Sequence, residues 1–177
     1  VIADCVCKGN KVIDEWMVRD QSAILKQTGL EPDQFARNLI SNLKEKDTEF
    51  PKADGYLNRW IGPPDSDSLT GSVKNLAQSY QAIWENSEFS IIEKSHNRAC
   101  QVFAPGAKVL YGNEQLIEFL KGYTDSLPNG NYRVHHWILN EEGGKNDRIA
   151  LRWSYTAYHS GSGTFGEPTG APVVIMA

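Results

Sequence analysis

Apolar and polar positions change period along the chain, and the changes mark its elements. Val1 to Cys7 and Lys11 to Val18 are two β-rich runs. Lys8-Gly9-Asn10 separates them, and Gly and Asn tolerate the positive φ of a tight hairpin turn. Asp20 is placed to cap a helix carrying Ala23-Ile24-Leu25, and Gly29 sits where that helix stops. Pro32 suits the first turn of a second helix, whose stripe is Phe35, Leu39 and Leu43 with Ala36 and Ile40 beside them. Residues 47–72 break this pattern with Gly55, Gly62, Pro63 and Pro64, and read as a linker or an insertion. Tyr56, Leu57, Trp60 and Ile61 make part of it apolar enough to be expected to dock.

Helical spacing returns at Val73, with Leu76, Tyr80, Ile83 and Trp84 on one face. Glu88 to Ser95 predicts a short helix, and Ala99 to Phe103 a strand. Asn113 is placed to cap a helix bearing Leu116, Ile117, Leu120 and Tyr123, with Pro128 beyond its end. Two long strands follow, "YRVHHWILN" and "RIALRWSYTAYH", joined by the polar "EEGGKND". The glycine-rich "SGSGTFGEPTGAP" then leads into "VVIMA", the start of another strand. Strands joined by short turns favour an antiparallel sheet, so the predicted class is α+β.

Composition narrows the functions. A length of 177 residues fits one domain with insertions. A net charge of -4 argues against a nucleic-acid or anionic-membrane partner, since phosphate affinity needs clustered cations. No run approaches the roughly 20 apolar residues of a spanning helix. The apolar start lacks a signal peptide's basic lead and cleavage site. Cys5, Cys7 and Cys100 are an odd set, which fits reduced thiols and a cytoplasmic location. Cys5-x-Cys7 is not zinc-knuckle spacing, so no metal is expected. "GSGTFGEPTG" has no following Lys-Ser/Thr and opens no helix, so it fails as a phosphate loop, and no cofactor is expected.

The stretches "LAQSYQAIWENSEFSIIEK", "VLYGNEQLIEFLKGYTDSLPNGNYRVHHW" and "DRIALRWSYTAYHSGSGTFGEPTGAPVVIM" resemble the SnoaL-like polyketide-cyclase family. That family lies within the superfamily named after nuclear transport factor two. The resemblance implies a cone-shaped, curved antiparallel sheet wrapped around helices, with an apolar cavity and a homodimeric assembly. "IADCVCKGNKVIDEWMVRDQSAILKQTG" resembles the family's closing hairpin and tail, here placed at the front. The expected organisation is therefore residues 1–46 completing the barrel, 47–72 as linker or docked insertion, and 73–177 as the main unit. A circular permutation and a cut through a tandem protein both fit that order. Either way, Val1 to Val18 is expected to lie beside the "VVIMA" edge of its own or a neighbouring chain.

Strand alternation selects a face. Ile149, Leu151, Trp153, Tyr155, Ala157 and His159 share one side, assigned to the cavity. Ala150, Arg152, Ser154, Thr156 and Tyr158 share the other. His159 is the leading catalytic candidate because an imidazole exchanges a proton near neutral pH, and it matches the family's turn histidine; a rim residue ordering the loop is the structural alternative. Asp4, on a strand face with Ile2 and Val6, matches the family's acid/base carboxylate; a solvated edge position is its alternative. Trp84, Trp153, Tyr80 and Trp137 can stack on a ring-shaped ligand or pack a core. His135 and His136 are expected on opposite faces, so one of them, taken as His136, reaches the pocket. His96 and Arg98 could bind a polar substrate group or form a surface ion pair. The expected function is cofactor-free acid/base chemistry on a small hydrophobic or aromatic molecule: cyclisation, isomerisation, dehydration or hydrolysis. The alternative is a non-catalytic ligand-binding or dimerisation module.

Overall fold

The structure is a computed structural model that describes residues 2–42, 69 and 71–177. Helices and antiparallel sheets alternate along it, so the class is α+β. It divides into two compact units, Val1–Gly62 with Gln101–Leu110, and Pro63–Cys100 with Tyr111–Ala177. Most of the expected linker, including Tyr56, Leu57, Trp60 and Ile61, lies outside the described residues.

The first unit opens on a hairpin of β1 (Ile2–Lys8) and β2 (Lys11–Val18). Gly9 and Asn10 hold φ of 56° and 59°, the left-handed pair that a two-residue turn needs. Asp4 faces Trp16 across the ladder, and a bulge after Val6 sets Val6 opposite Asp14 and Cys7 opposite Val12. The pleat leaves Asp4, Val6, Asp14 and Trp16 half-buried on one face, with Ala3, Cys5 and Cys7 exposed on the other. Among the described residues, β1 is bonded only to β2.

Helices α1 (Gln21–Gln27) and α2 (Pro32–Asn42) follow. Gly29, at φ 79°, ends α1 as its sequence predicts. The α2 stripe of Phe35, Leu39 and Ile40 is exposed, and Leu43 lies outside the described residues.

Strands β3 (Gln101–Ala104) and β4 (Lys108–Tyr111) form a second hairpin. Asp20 fastens it to α1. Its Oδ1 accepts from the Ala23 amide at 2.9 Å, capping the helix. The same carboxylate accepts from Gly106 N at 2.8 Å and Ala107 N at 3.0 Å, in the β3–β4 turn. Lys26 Nζ completes the joint by donating to the Gly106 carbonyl at 3.1 Å. Partial burial works against the Asp20 charge, but the Ala23, Ala107 and Gly106 amides and Lys26 outweigh it and hold the carboxyl below its ordinary pKa.

The second unit holds α3 (Gly71–Asn86), α4 (Ser90–Ser95), α5 (Gly112–Ser126), β5 (Asn131–Asn140), β6 (Arg148–Tyr158) and β7 (Pro172–Met176). The three strands form one antiparallel sheet in the order β5-β6-β7. Helix α3 packs on β5 and α5, and α4 on α5. Val73, Ile83, Ile92 and Leu127 are fully buried between these layers. Each such side chain contributes about 1.5–3 kcal/mol relative to exposure. The cap of α5 falls on Tyr111, whose amide is satisfied by Gln115 Oε1 at 2.9 Å. Asn113, expected as the cap, instead accepts from Cys100 Sγ at 3.7 Å.

In β5 a bulge lies between Val134 and His136, so Val134 faces Trp153 while His136 already faces Arg152. His135 is the extra residue. Its Nε2 lies 2.7 Å from Ser154 Oγ, which places it on the Ser154 side of the sheet. His136, opposite Arg152, points to that same side. The expectation that the two histidines face opposite ways fails, because a bulge cancels one step of alternation.

Removing the Asp20 carboxylate should free two turn amides and one helix amide at once. Asp20→Ala is expected to speed hydrogen exchange at Gly106 and Ala107 by roughly tenfold, matching a loss of about 1.4 kcal/mol from a cap of ordinary strength. Because the folded pKa is depressed, this stabilisation is complete above the unfolded value and is lost as pH falls through the folded one. Unchanged exchange in the variant would show the joint to be held by other groups.

Candidate functional site

The second unit's sheet and helices bring a ribbon of aromatic rings together. Trp84, from α3, lies 5.3 Å from Trp153 and 4.9 Å from Tyr155 of β6, ring centre to ring centre. Trp153 continues to Tyr132 of β5 at 5.3 Å. In the other direction Trp84 meets Tyr123 of α5 edge-on at 6.2 Å. Tyr123 then meets Phe165 at 5.3 Å, and Phe165 meets the His159 ring at 6.0 Å. Alternation along β6 therefore does turn Trp153 and Tyr155 toward the helices.

Tyr155, expected in the ligand wall, has its hydroxyl engaged within the protein. Its ring is fully buried, and its hydroxyl accepts from Gly130 N at 3.0 Å. The same hydroxyl faces two carbonyls, Leu127 at 2.8 Å and Trp84 at 3.1 Å. A phenol with its donor and acceptor capacity so used is a bracket between α3, the end of α5 and the start of β5.

Among the described residues, three buried polar atoms of the ribbon have no hydrogen-bond partner: Trp84 Nε1, Tyr132 Oη and His159 Nε2. Burial, reinforced by nearby Tyr80, pushes the Tyr132 phenol far above its usual range, so it stays protonated. Nothing in the sequence pattern singles out Tyr132. Its neighbours reveal it, since its amide donates to Glu85 Oε1 at 2.8 Å and its ring meets Trp153.

His159 follows β6 and is 5% exposed. Its amide donates to Ala171 O at 2.9 Å, and its carbonyl accepts from Gly170 N at 2.8 Å. Its Nδ1 lies 3.1 Å from Thr169 Oγ1. Between those two anchor points the glycine-rich segment runs as a strap along the end of α5. Gly161 N donates to Ser126 O at 3.2 Å, Thr164 N to Gly122 O at 2.9 Å, and Phe165 N to Ser126 Oγ at 3.2 Å. Of these acceptors, the Ser126 carbonyl is one that the helix terminus leaves open. The approach excludes side chains, because a Cβ on Gly163 would overlap Gly122 O and Ser126, and one on Gly161 would overlap Asp125 O.

The remaining expected residues are scattered. Trp137 is half-buried opposite Leu151, on the Trp153 face, whereas His136 is on the opposite face from the ribbon. Tyr80 is half-buried, with its hydroxyl 3.4 Å from His96 Nε2 and the rings edge-on at 6.2 Å. Arg98 lines a separate cleft of about 490 Å³ with Tyr111, Gly112 and Asn113, where Glu93 and Glu114 bring opposing charge. Asp4 is in the first unit and His159 in the second. Among the described residues, no group of three or more His, Cys, Asp or Glu could hold a metal ion, and no helix is long and apolar enough to cross a membrane.

The chain matches no protein-family model and no curated protein. Among solved structures it is similar to AclR, a candidate hydroxylase from Streptomyces galilaeus, at 22% identity and a TM-score of 0.46, covering 58% of this chain and 64% of that one. It is also similar to a candidate SnoaL-like polyketide cyclase from Jannaschia sp. CCS1, at 12% identity and a TM-score of 0.46, covering 63% and 78%. A third similarity is to a candidate SnoaL-like polyketide cyclase from Shewanella putrefaciens CN-32, at 17% identity and a TM-score of 0.40, covering 63% and 76%. The last two carry the family name that the motifs of residues 73–177 resemble. The chain thus spans a little under two thirds of AclR.

Two expectations test this geometry. Gly163→Ala should lower the stability of the second unit by about 1–3 kcal/mol in urea unfolding, the cost of overpacking a closed contact. Gly143→Ala, in the hairpin tip where a Cβ meets nothing within 4 Å, should change it little. His96 is a pH-sensitive group of the second unit. Burial pushes its pKa down, with a hydrogen bond to the Ile92 backbone pulling the other way. Its NMR titration midpoint is expected below the ordinary imidazole value of about 6.5. The unfolded chain then takes up that proton first, so this contribution to stability is complete above the unfolded pKa and is lost as pH falls through the folded one.

Proposed function

We propose that the second unit binds a small, largely apolar organic molecule against Trp84, Trp153 and Tyr132, and that His159 moves a proton on it without a bound cofactor. The observation that carries this reading is the trio of unpartnered atoms. A buried donor left unmade costs about 1–3 kcal/mol, so a native fold keeps three in one aromatic ribbon where a ligand supplies the missing bonds. An imidazole held at the end of β6 by three backbone bonds supports the proton-carrying role.

The resemblance of residues 73–177 to SnoaL-like cyclases supports a cone-shaped pocket and acid/base chemistry of the cyclisation, isomerisation, dehydration or hydrolysis type. Asp4, the carboxylate that the resemblance joins to such chemistry, belongs to the first unit, and its role is a separate proposal.

Native mass spectrometry of the freshly purified chain is expected to show a bound organic molecule. Trp84→Ala should lose it, while His159→Gln should keep it and stop its conversion. Asp4→Asn stops conversion as well if that carboxylate takes part. Absence of any bound organic species, with no tryptophan fluorescence response to aromatic carbonyl compounds, would sink the reading. A ligand returned unchanged by both the wild type and His159→Gln would make the unit a non-catalytic binding module.

A further inference from the structure

We infer that Thr169 is a positioning residue that fixes the tautomer of His159, keeping the imidazole proton on Nε2, so that the ribbon offers donors and selects ligands bearing hydrogen-bond acceptors. The inference rests on the proposed function for its ligand, but not for its tautomer.

The two imidazole nitrogens have unlike surroundings. Nδ1 lies 3.1 Å from Thr169 Oγ1, whereas Nε2 is buried with no partner among the described residues. Which nitrogen carries the proton is set by the bond that the other makes. Thr169 Oγ1 already accepts from the Ala171 amide at 3.3 Å. Its hydroxyl proton is still free to donate, and among the described residues the acceptor it reaches is His159 Nδ1. Donation from Thr169 leaves Nδ1 as an acceptor and puts hydrogen on Nε2. The geometry is enforced from both ends, since Thr169 N donates to His159 O at 3.2 Å and His159 N to Ala171 O at 2.9 Å.

With Nε2 protonated, the three unpartnered atoms agree in character. Trp84 Nε1 is a donor only, and the Tyr132 phenol keeps its proton. A carbonyl or phenolate oxygen satisfies all three donors, whereas an amine hydrogen finds an acceptor only in the Tyr132 oxygen. The chemistry therefore selects an acceptor-bearing aromatic or carbonyl compound over its hydrocarbon isostere.

The test is 15N NMR of the His159 ring over a pH series, read on the high-pH plateau where its shifts stop changing. The wild type is expected to show hydrogen on Nε2, Thr169→Val to lose that preference, and Thr169→Ser to restore it. Hydrogen on Nδ1 in the wild type, or no change in Thr169→Val, overturns the inference. Fluorescence titration with acetophenone and isopropylbenzene supplies the second arm. The ketone is expected to bind more tightly, and Thr169→Val to weaken it about tenfold while sparing the hydrocarbon, as loss of one hydrogen bond requires. Equal weakening of both probes overturns the claim of selectivity. Failure of both probes to bind, with the tautomer as expected, counts against the proposed binding site and leaves the role of Thr169 standing.

Discussion

The hydroxyl of Tyr155 joins three segments of the second unit. It touches the carbonyl that ends the Trp84 turn of α3, the carbonyl of Leu127 just past α5, and the amide of Gly130 at the entrance to β5. These groups come from residues 28 and 71 positions away in sequence as well as from the turn itself. Burial raises the phenol's pKa, Glu85 adds to this, and the Gly130 amide pulls the other way, so the group remains neutral. The bracket also fixes the identity of its neighbour, since any Cβ on Gly130 would lie inside the Tyr155 ring. Helices and sheet are thereby set at one distance, and Trp84 and Trp153 can meet.

Around that joint, the chemistry-bearing groups are placed by backbone rather than by side-chain packing. His159 is carried by the last turn of a strand whose other residues are locked in register with β5 and β7. The strap that follows covers the end of α5 and returns to His159 within ten residues. Its glycines allow backbone to lie on backbone, and Phe165 closes the aromatic series over the imidazole. The polarity of the ribbon is thus determined by neighbours that are themselves hydrogen-bonded.

What could be read from the sequence was what depends on near neighbours. The Gly9-Asn10 turn, the Asp20 cap, the Gly29 stop and the long β5–β6 hairpin are local in cause, and their residues announce them. Trp153 and Trp84 were legible as inward-facing rings because period alone selects their faces. The rest depends on distant groups. Strand β4 exists within a hairpin whose turn is held by a carboxylate more than eighty residues earlier. Asn113 has the chemistry of a cap, but Cys100 engages it, and Gln115 reaches back in its place. Tyr155 read as a pocket wall because alternation gives a face, not the fate of a hydroxyl. The bulge at His135 left no mark in composition, since its lock is Ser154 on another strand.

That bulge has a consequence for how this sheet can vary. From Asn131 to Val134 the even-numbered side chains face the helices, and from His136 to Asn140 the odd-numbered ones do. The extra residue acts as a parity switch. Two related chains that differ by a single-residue gap at this point would share every motif on both sides of it, yet would turn inside out along the distal half of the strand. Aligning such chains by letters alone would then equate Trp137 with a position facing the wrong way.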